Sequence, residues 1–164
     1  YSVMMAVVAG AARHGKATVR DAELVLGRMG QARLRPDVVT YNAMLAACVG
    51  VAQQGRASLQ DGAKVVAMMT SDGVVPDAVT LNTLLEVVAE AARHGKATVR
   101  DGDKVLDMMR EAGVGMDMTT YRALRKVWDA TSPPAGGSVH SGKGAVDKRA
   151  HMMAPTERQA AYAR

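Results

Sequence analysis

Residues 37–73 read DVVTYNAMLAACVGVAQQGRASLQDGAKVVAMMTSDG, and the chain writes the same pattern again 40 residues later. Residues 77–113 read DAVTLNTLLEVVAEAARHGKATVRDGDKVLDMMREAG, and residues 117–130 open a further copy, DMTTYRALRKVWDA. In the other direction, Tyr1 falls at the register of Tyr41, Leu81 and Tyr121. One segment is copied outright: AARHGKATVRD stands at 11–21 and again at 91–101, two periods on. Self-similarity at a fixed spacing of this size is the mark of a solenoid, in which each unit packs only on its neighbours.

The unit that opens at Asp37 shows what each copy folds into. Asp is a good N-cap residue, and no Pro follows until Pro76. Val38, Tyr41, Met44, Leu45 and Cys48 recur at the spacing of one helix face. Gly55 ends that helix, as Gly15 and Gly95 do in the neighbouring units, in the place where a left-handed residue suits a helix end. Ser58-x-x-Asp61 follows, matched by Thr18-x-x-Asp21 and Thr98-x-x-Asp101; each resembles a capping box with Asp in place of Glu. A second helix carries Leu59, Val65, Val66, Met68 and Met69, and Gly73 closes it ahead of Pro76. Each unit is therefore expected to be helix, turn, helix, turn. The pairs span 1–31, 38–72 and 78–112, and a last helix runs from Met118 to about Ala130. A single pair cannot bury its apolar stripes, whereas a stack of pairs can.

The chain has 164 residues, enough for one domain or a few repeats. Phe is absent and aromatics are 3%, so Ala, Val, Leu and Met build the core. Met29, Met69 and Met109 are repeat equivalents, which assigns them to packing rather than to a metal. The units are expected to divide as 1–37, 38–77, 78–117 and a partial 118–130 with Trp128 under the end of the stack. Because Tyr1 already stands at a helix start, further units are expected upstream. Residues 131–164 turn rich in Pro, Gly and Ser and read as an irregular tail. A decayed helix at 139–150 and a short final one, ERQAAYAR, are expected to cap the stack. No run reaches the roughly 18 apolar residues of a membrane span.

The sequence carries few of the patterns that catalysis or metal binding needs. Gly137-SVHS-Gly142-Lys143 nearly spells a phosphate-binding loop, but Gly144 stands where a Ser or Thr would ligate magnesium, and no apolar strand precedes it. Cys48 is the one cysteine and sits on an apolar helix face, so it reads as a core residue in a reducing compartment. His14 and His94 are repeat equivalents two units apart, too far to share a metal; His140 and His151 are lone tail residues. Glu86 and Glu90, one helical turn apart, read as a solvated face. No catalytic constellation emerges, so no enzyme activity, metal, cofactor or small-molecule substrate is expected. Charge says more. The net charge is +5 and the pI about 9.6. The turns between paired helices carry Arg13, His14, Lys16 and Arg20, then Arg56, then Arg93, His94, Lys96 and Arg100. Stacking aligns these turns as a basic rim, an electrostatic footprint for a polyanion.

The string VVTYNAMLAA, followed by a second helix ending in AMM-x-x-x-G-V-V-P-D, resembles the pentatricopeptide repeat family. AVTLNTLLEVV and DMM-x-x-x-G-V-G-M-D in the next unit resemble it too. The likeness covers 1–117 well, 118–130 in part, and the tail not at all. Its units run 40 residues against about 35 in the family, a long-repeat variant whose extra residues fall in the turn RHGKATVRD. The resemblance implies an all-α fold, an α-α superhelix: a right-handed solenoid of stacked antiparallel helix pairs. It also implies an organellar protein of the mitochondrial matrix or chloroplast stroma that holds single-stranded RNA in a groove lined by the first helices, one base per unit.

Carried over, the base-reading pairs are Asn42 with Asp77 and Asn82 with Asp117, a combination that in the family resembles a uracil reader, and Ser2 with Asp37, which leans to guanine. Val39 and Val79 match the residues that sandwich bases. The last unit departs, with Thr119 for Val and Arg122 for Asn, so no base is assigned there. Arg122 is expected to meet phosphate, together with Arg13, Lys16, Arg56, Arg93 and Lys96 of the rim. The same Asp residues also suit plain N-cap duty. A second function fits the resemblance: a structural subunit of an organellar ribosome or other large ribonucleoprotein, clamping ribosomal RNA and protein neighbours. The lengthened turns and degenerate last unit favour it, and the intact Asn–Asp pairs favour the first reading.

Overall fold

The computed structural model describes residues 2–132; the tail beyond, with its expected capping helices, phosphate-loop-like stretch, His140 and His151, lies outside them. The described residues are all-helical. The elements are α1 (Ser2–Arg13), α2 (Val19–Gln31), α3 (Val38–Gln53), α4 (Leu59–Ser71), α5 (Ala78–Arg93), α6 (Val99–Glu111) and α7 (Met118–Thr131). Among the described residues, each helix expected up to Ala130 is present within a residue or two of its expected ends.

The odd-numbered helices form one packed row, α1 on α3, α3 on α5 and α5 on α7. Each even-numbered helix lies against its own partner and against the first helix of the next unit: α2 on α1 and α3, α4 on α3 and α5, α6 on α5 and α7. This sequential packing is that of an α-α solenoid. It also explains the difference in composition between the two rows. α5 meets neighbours on several sides and buries Leu81, Leu84, Leu85, Val87, Val88 and Ala91 almost all round. α6 buries one stripe, Gly102, Val105 and Met109, and leaves the rest polar. Ala22, Val25 and Met29 of α2 make the same stripe.

The ends follow the sequence signals. Asp37, Asp77 and Asp117 cap α3, α5 and α7. Thr18, Ser58 and Thr98 open α2, α4 and α6 with the expected boxes to Asp21, Asp61 and Asp101. At the far end of α3, Gly55 takes φ +66°, its N–H reaches Ala52 O at 2.8 Å and Arg56 N–H reaches Val51 O at 3.1 Å, the paired closure of a left-handed helix stop. One stop lacks its glycine. Gly73 and Gly113 close α4 and α6 at φ +74° and +67°, but Arg33 closes α2 at φ 57°, a conformation in which a Cβ is strained.

The rows meet most closely at Gly50. A Cβ built there would lie 2.7 Å from Arg13 N and 2.8 Å from Ala12 C, so α1 and α3 touch through backbone. Trp128 is half-buried on α7. Tyr41 is fully buried, yet its hydroxyl reaches out to donate to Asp72 Oδ2 at 2.5 Å. In the next unit Leu81 and Ala112 occupy the same two places, so hydroxyl and carboxylate disappear together.

Candidate functional site

The helix-opening motif Asp-x-x-Thr builds the site at the N-terminal end of the first-helix row. Thr40, Thr80 and Thr120 sit three residues into their motifs and are almost fully buried. Asp77 Oδ1 accepts from Thr80 N at 2.8 Å, and Thr80 Oγ1 accepts in return from Asp77 N at 3.2 Å. Asp117 and Thr120 repeat this at 2.9 and 3.1 Å. The motif is thus a reciprocal cap.

The caps of α5 and α7 also receive an amide from the preceding unit. Asn42 Nδ2 lies 3.5 Å from Asp77 Oδ1, and Thr80 Oγ1 donates to Asn42 Oδ1 at 2.7 Å. Asn82 Nδ2 donates to Asp117 Oδ1 at 3.3 Å, and Thr120 Oγ1 donates to Asn82 Oδ1 at 2.7 Å. The two networks match atom for atom, one period apart. A carboxylate on one side and a hydroxyl on the other fix the amide: its NH2 faces the acceptor and its carbonyl faces the donor. Since an amide carries two N–H donors, one remains after the bond to Asp. The donor stands beside an exposed carboxylate, so each pair can offer a donor and an acceptor together.

Val39 and Val79 stand one helical turn before Asn42 and Asn82, on the same face, and each is 58% exposed. An apolar side chain left in solvent beside a fixed polar pair forms a small mixed platform. The two platforms differ in access, since Asn42 is half-buried and Asn82 is 9% exposed. Ser2 opens α1 at the same register, but its side chain lies outside the described ones; its expected partner Asp37 accepts from Thr40 N at 2.8 Å. Arg122 takes the Asn position on α7 and is exposed. The carboxylates are held ionised. Thr40's hydroxyl and N–H keep Asp37 below the usual carboxylate range. For Asp77 partial burial pushes upward, but the bonds from Thr80 and Asn42 outweigh it and the net shift is down. Asp117 is lowered chiefly by the Thr120 N–H.

The expected phosphate residues other than Arg122 lie elsewhere. Arg13, Lys16, Arg56, Arg93 and Lys96 are exposed at the C-terminal ends of the first helices and in the turns that follow. Asn82 and Arg93 are 11 residues apart on α5, about 16 Å along the axis at 1.5 Å per residue. The basic rim and the Asn–Asp pairs therefore occupy opposite edges of the stack. The rim is tied crosswise: Gln54 Nε2 donates to Arg13 O at 3.3 Å, and one step along His94 Nε2 lies 3.0 Å from Gln53 O. His94 thus bonds a backbone carbonyl rather than standing free.

The buried threonines are what sequence reasoning missed. Their signal was present, since Thr precedes Tyr41, Leu81 and Tyr121 at the period of the repeat, but a Thr near a helix start reads as ordinary capping. Glu90 also differs from expectation: it is 6% exposed rather than solvated and pairs with Arg93 at 3.4 Å, while Glu86 pairs with Lys126 of α7. Cys48 is fully buried, and burial pushes its thiol up to about 12. Among the described residues, no group of three or more His, Cys, Asp or Glu is placed to hold a metal, and no helix is long and apolar enough to cross a membrane.

Comparison with known proteins bears on the first two units. No curated protein matches the chain. The profile of the pentatricopeptide repeat domain matches residues 5–51, from within α1 to near the end of α3. Those residues span one whole unit step and the first Asp-x-x-Thr motif, which recurs in register at Asp77 and Asp117. Proteins with this domain are generally RNA-binding, typically organellar and typically not enzymes. Over residues 5–51, then, the chain is similar to the pentatricopeptide repeat domain.

Proposed function

We propose that this chain is an RNA-binding module of organellar gene expression, in the mitochondrial matrix or chloroplast stroma, that holds single-stranded RNA against the N-terminal edge of its first helices. Asn42 with Asp77 and Asn82 with Asp117 read successive bases, and Val39 and Val79 flank the base planes. Ser2 with Asp37 reads a further base. One observation supports this above the rest: the Asn–Asp–Thr network occurs twice with the same atoms and nearly the same distances, each time beside an exposed valine. A cap alone needs Asp and Thr; it does not need an amide from the preceding unit. A pyrimidine edge carries donor and acceptor groups that an amide N–H and a carboxylate can meet side by side. Asn42, the more open of the two, makes the larger contribution.

The test is binding of short oligonucleotides over a salt series. A U-U-containing strand should bind more tightly than its C-C counterpart, and Asn42→Ala should narrow that gap while leaving the salt slope unchanged. Equal affinity for all strands before and after the substitution refutes base reading. It leaves the scaffold role in a larger ribonucleoprotein, in which RNA is gripped without regard to sequence.

A further inference from the structure

The geometry points to a second nucleic-acid site on the opposite edge of the stack, where the turns between paired helices grip the phosphate backbone of RNA without reading sequence. It rests on the RNA-binding character of the family and is independent of which residues read bases.

The edge is a row by construction. The ends of α1, α3 and α5 lie side by side because these helices pack consecutively, and the bonds from Gln54 to Arg13 O and between His94 and Gln53 O hold adjacent turns in register. Lys16, Arg56 and Lys96 take the same place in their turns, each the residue after the left-handed glycine. Packed helices stand about 8–10 Å apart, so the three cations form a line of roughly 20 Å. Arg13 and Arg93 stand just before the turns in sequence, and Arg20 and Arg100 just after them. All seven are exposed.

This charge is not consumed internally. Among the described residues, only Arg93 of the seven has an ion pair, to Glu90. The nearest carboxylates, Asp21, Asp61 and Asp101, are engaged in capping Thr18, Ser58 and Thr98, and Asp101 also holds Lys104 at 2.9 Å. First-helix C-termini and second-helix N-termini meet along this edge, so their dipoles oppose each other and the fixed cations set the potential. Between the second and third turns, Lys96 and Lys104 line an open cleft with Ser58, Leu59, Gln60 and the capping Asp101. A line of cations on a rigid edge, with no base-sized apolar platform, suits a continuous polyanion rather than a single anion or an unstacked base.

The site also gives the turn a purpose. Its residues make no use of the Asn–Asp edge, about 16 Å away along each helix. A strand of a few nucleotides occupies the reading edge alone, whereas a longer or folded RNA reaches both.

The experiment compares the full chain with Lys16→Gln/Arg56→Gln/Lys96→Gln on two probes, a tetranucleotide containing U-U and an RNA of roughly 20 nucleotides, by fluorescence anisotropy across salt. For the long RNA, the triple variant should lose about tenfold in affinity at low salt, and its salt slope should fall by about 2, from three contacts at roughly 0.7 each. Tetranucleotide binding and its U-U preference should be unchanged. Arg28→Gln/Arg125→Gln, which removes exposed charge away from the turns, should barely move either probe. An unchanged slope on the long RNA overturns the proposal. So does equal loss on both probes, which would merge the rim with the reading edge, and so does an equal effect of the control variant. Absence of U-U preference in every variant, with the long-RNA slope still falling, refutes base reading while leaving the second site standing.

Discussion

Gly50→Ala is expected to destabilise the stack even though it places a better helix former in the middle of α3. Replacing a helical Gly with Ala gains about 1 kcal/mol in propensity. Against that, the new Cβ would meet Arg13 N at 2.7 Å and Ala12 C at 2.8 Å, separations that real Cβ atoms do not show. Both obstacles are backbone, so no rotamer change can relieve them, and the end of α1 is held by the Gln54 bond to Arg13 O. The helices must separate, and overpacking of this kind costs roughly 1–3 kcal/mol or more. With two backbone clashes the cost falls at the upper end of that range, so the net loss expected is about 2 kcal/mol, a fall of several degrees in the unfolding midpoint. Gly10→Ala is the internal control. It sits at the same register on α1, and a Cβ there meets nothing within 4 Å, so only the propensity gain remains. Thermal and urea unfolding followed by far-UV circular dichroism should move the two variants in opposite directions. If Gly50→Ala stabilises the protein as much as Gly10→Ala does, the close α1–α3 approach is wrong.

Three further outcomes follow from features already described. Arg33→Gly should stabilise the protein by about 1 kcal/mol, since it relieves a side chain held in the left-handed region where the neighbouring units use Gly; an unchanged urea midpoint would count against strain at that stop. Acid should weaken the stack. Asp37 and Asp77 are depressed below their ordinary 3.8 in the folded chain, so their contribution is complete above that value and is lost as pH falls through the lower folded values. Unfolding midpoints should therefore drop in that acid range and not near neutrality, and Asp77→Asn should flatten part of the fall. Cys48, buried with its thiol pushed up to about 12, should resist thiol reagents at pH 8 until the chain unfolds; labelling at the rate of a free thiol would contradict its burial.

The fold was legible because its signals are local and repeated. Asp37, Gly55, Ser58 and Gly73 each mark a helix end by a rule that acts within a turn, and the 40-residue period states that the same answer recurs. The partners of Asn42 and Asn82 were half legible. The family resemblance paired each with its Asp, but Thr80 and Thr120 became visible as amide clamps only once consecutive units were packed, because the contact crosses 38 residues of chain. Spatial separation of the charges was hidden for a similar reason. A basic turn and a polar helix start look adjacent in a list of residues, and only the length of α5 puts them on opposite edges. Gly50 reads as an unremarkable small residue until α1 is laid against it, and Glu90 reads as surface until α5 is enclosed. The strain at Arg33 could have been suspected from its register with Gly73 and Gly113.

The Tyr41–Asp72 bond stays inside a single unit, whereas every Asn–Asp–Thr network straddles a junction between two. Private pairs of the first kind can be exchanged for Leu81 and Ala112 without troubling a neighbour. The junctions are different: each offers the same Asp-x-x-Thr socket to whatever precedes it. A gene that gains or loses copies of a unit carrying both Asn and Asp-x-x-Thr therefore keeps the coupling at each such junction, so the length of the array can drift while that joint stays the same.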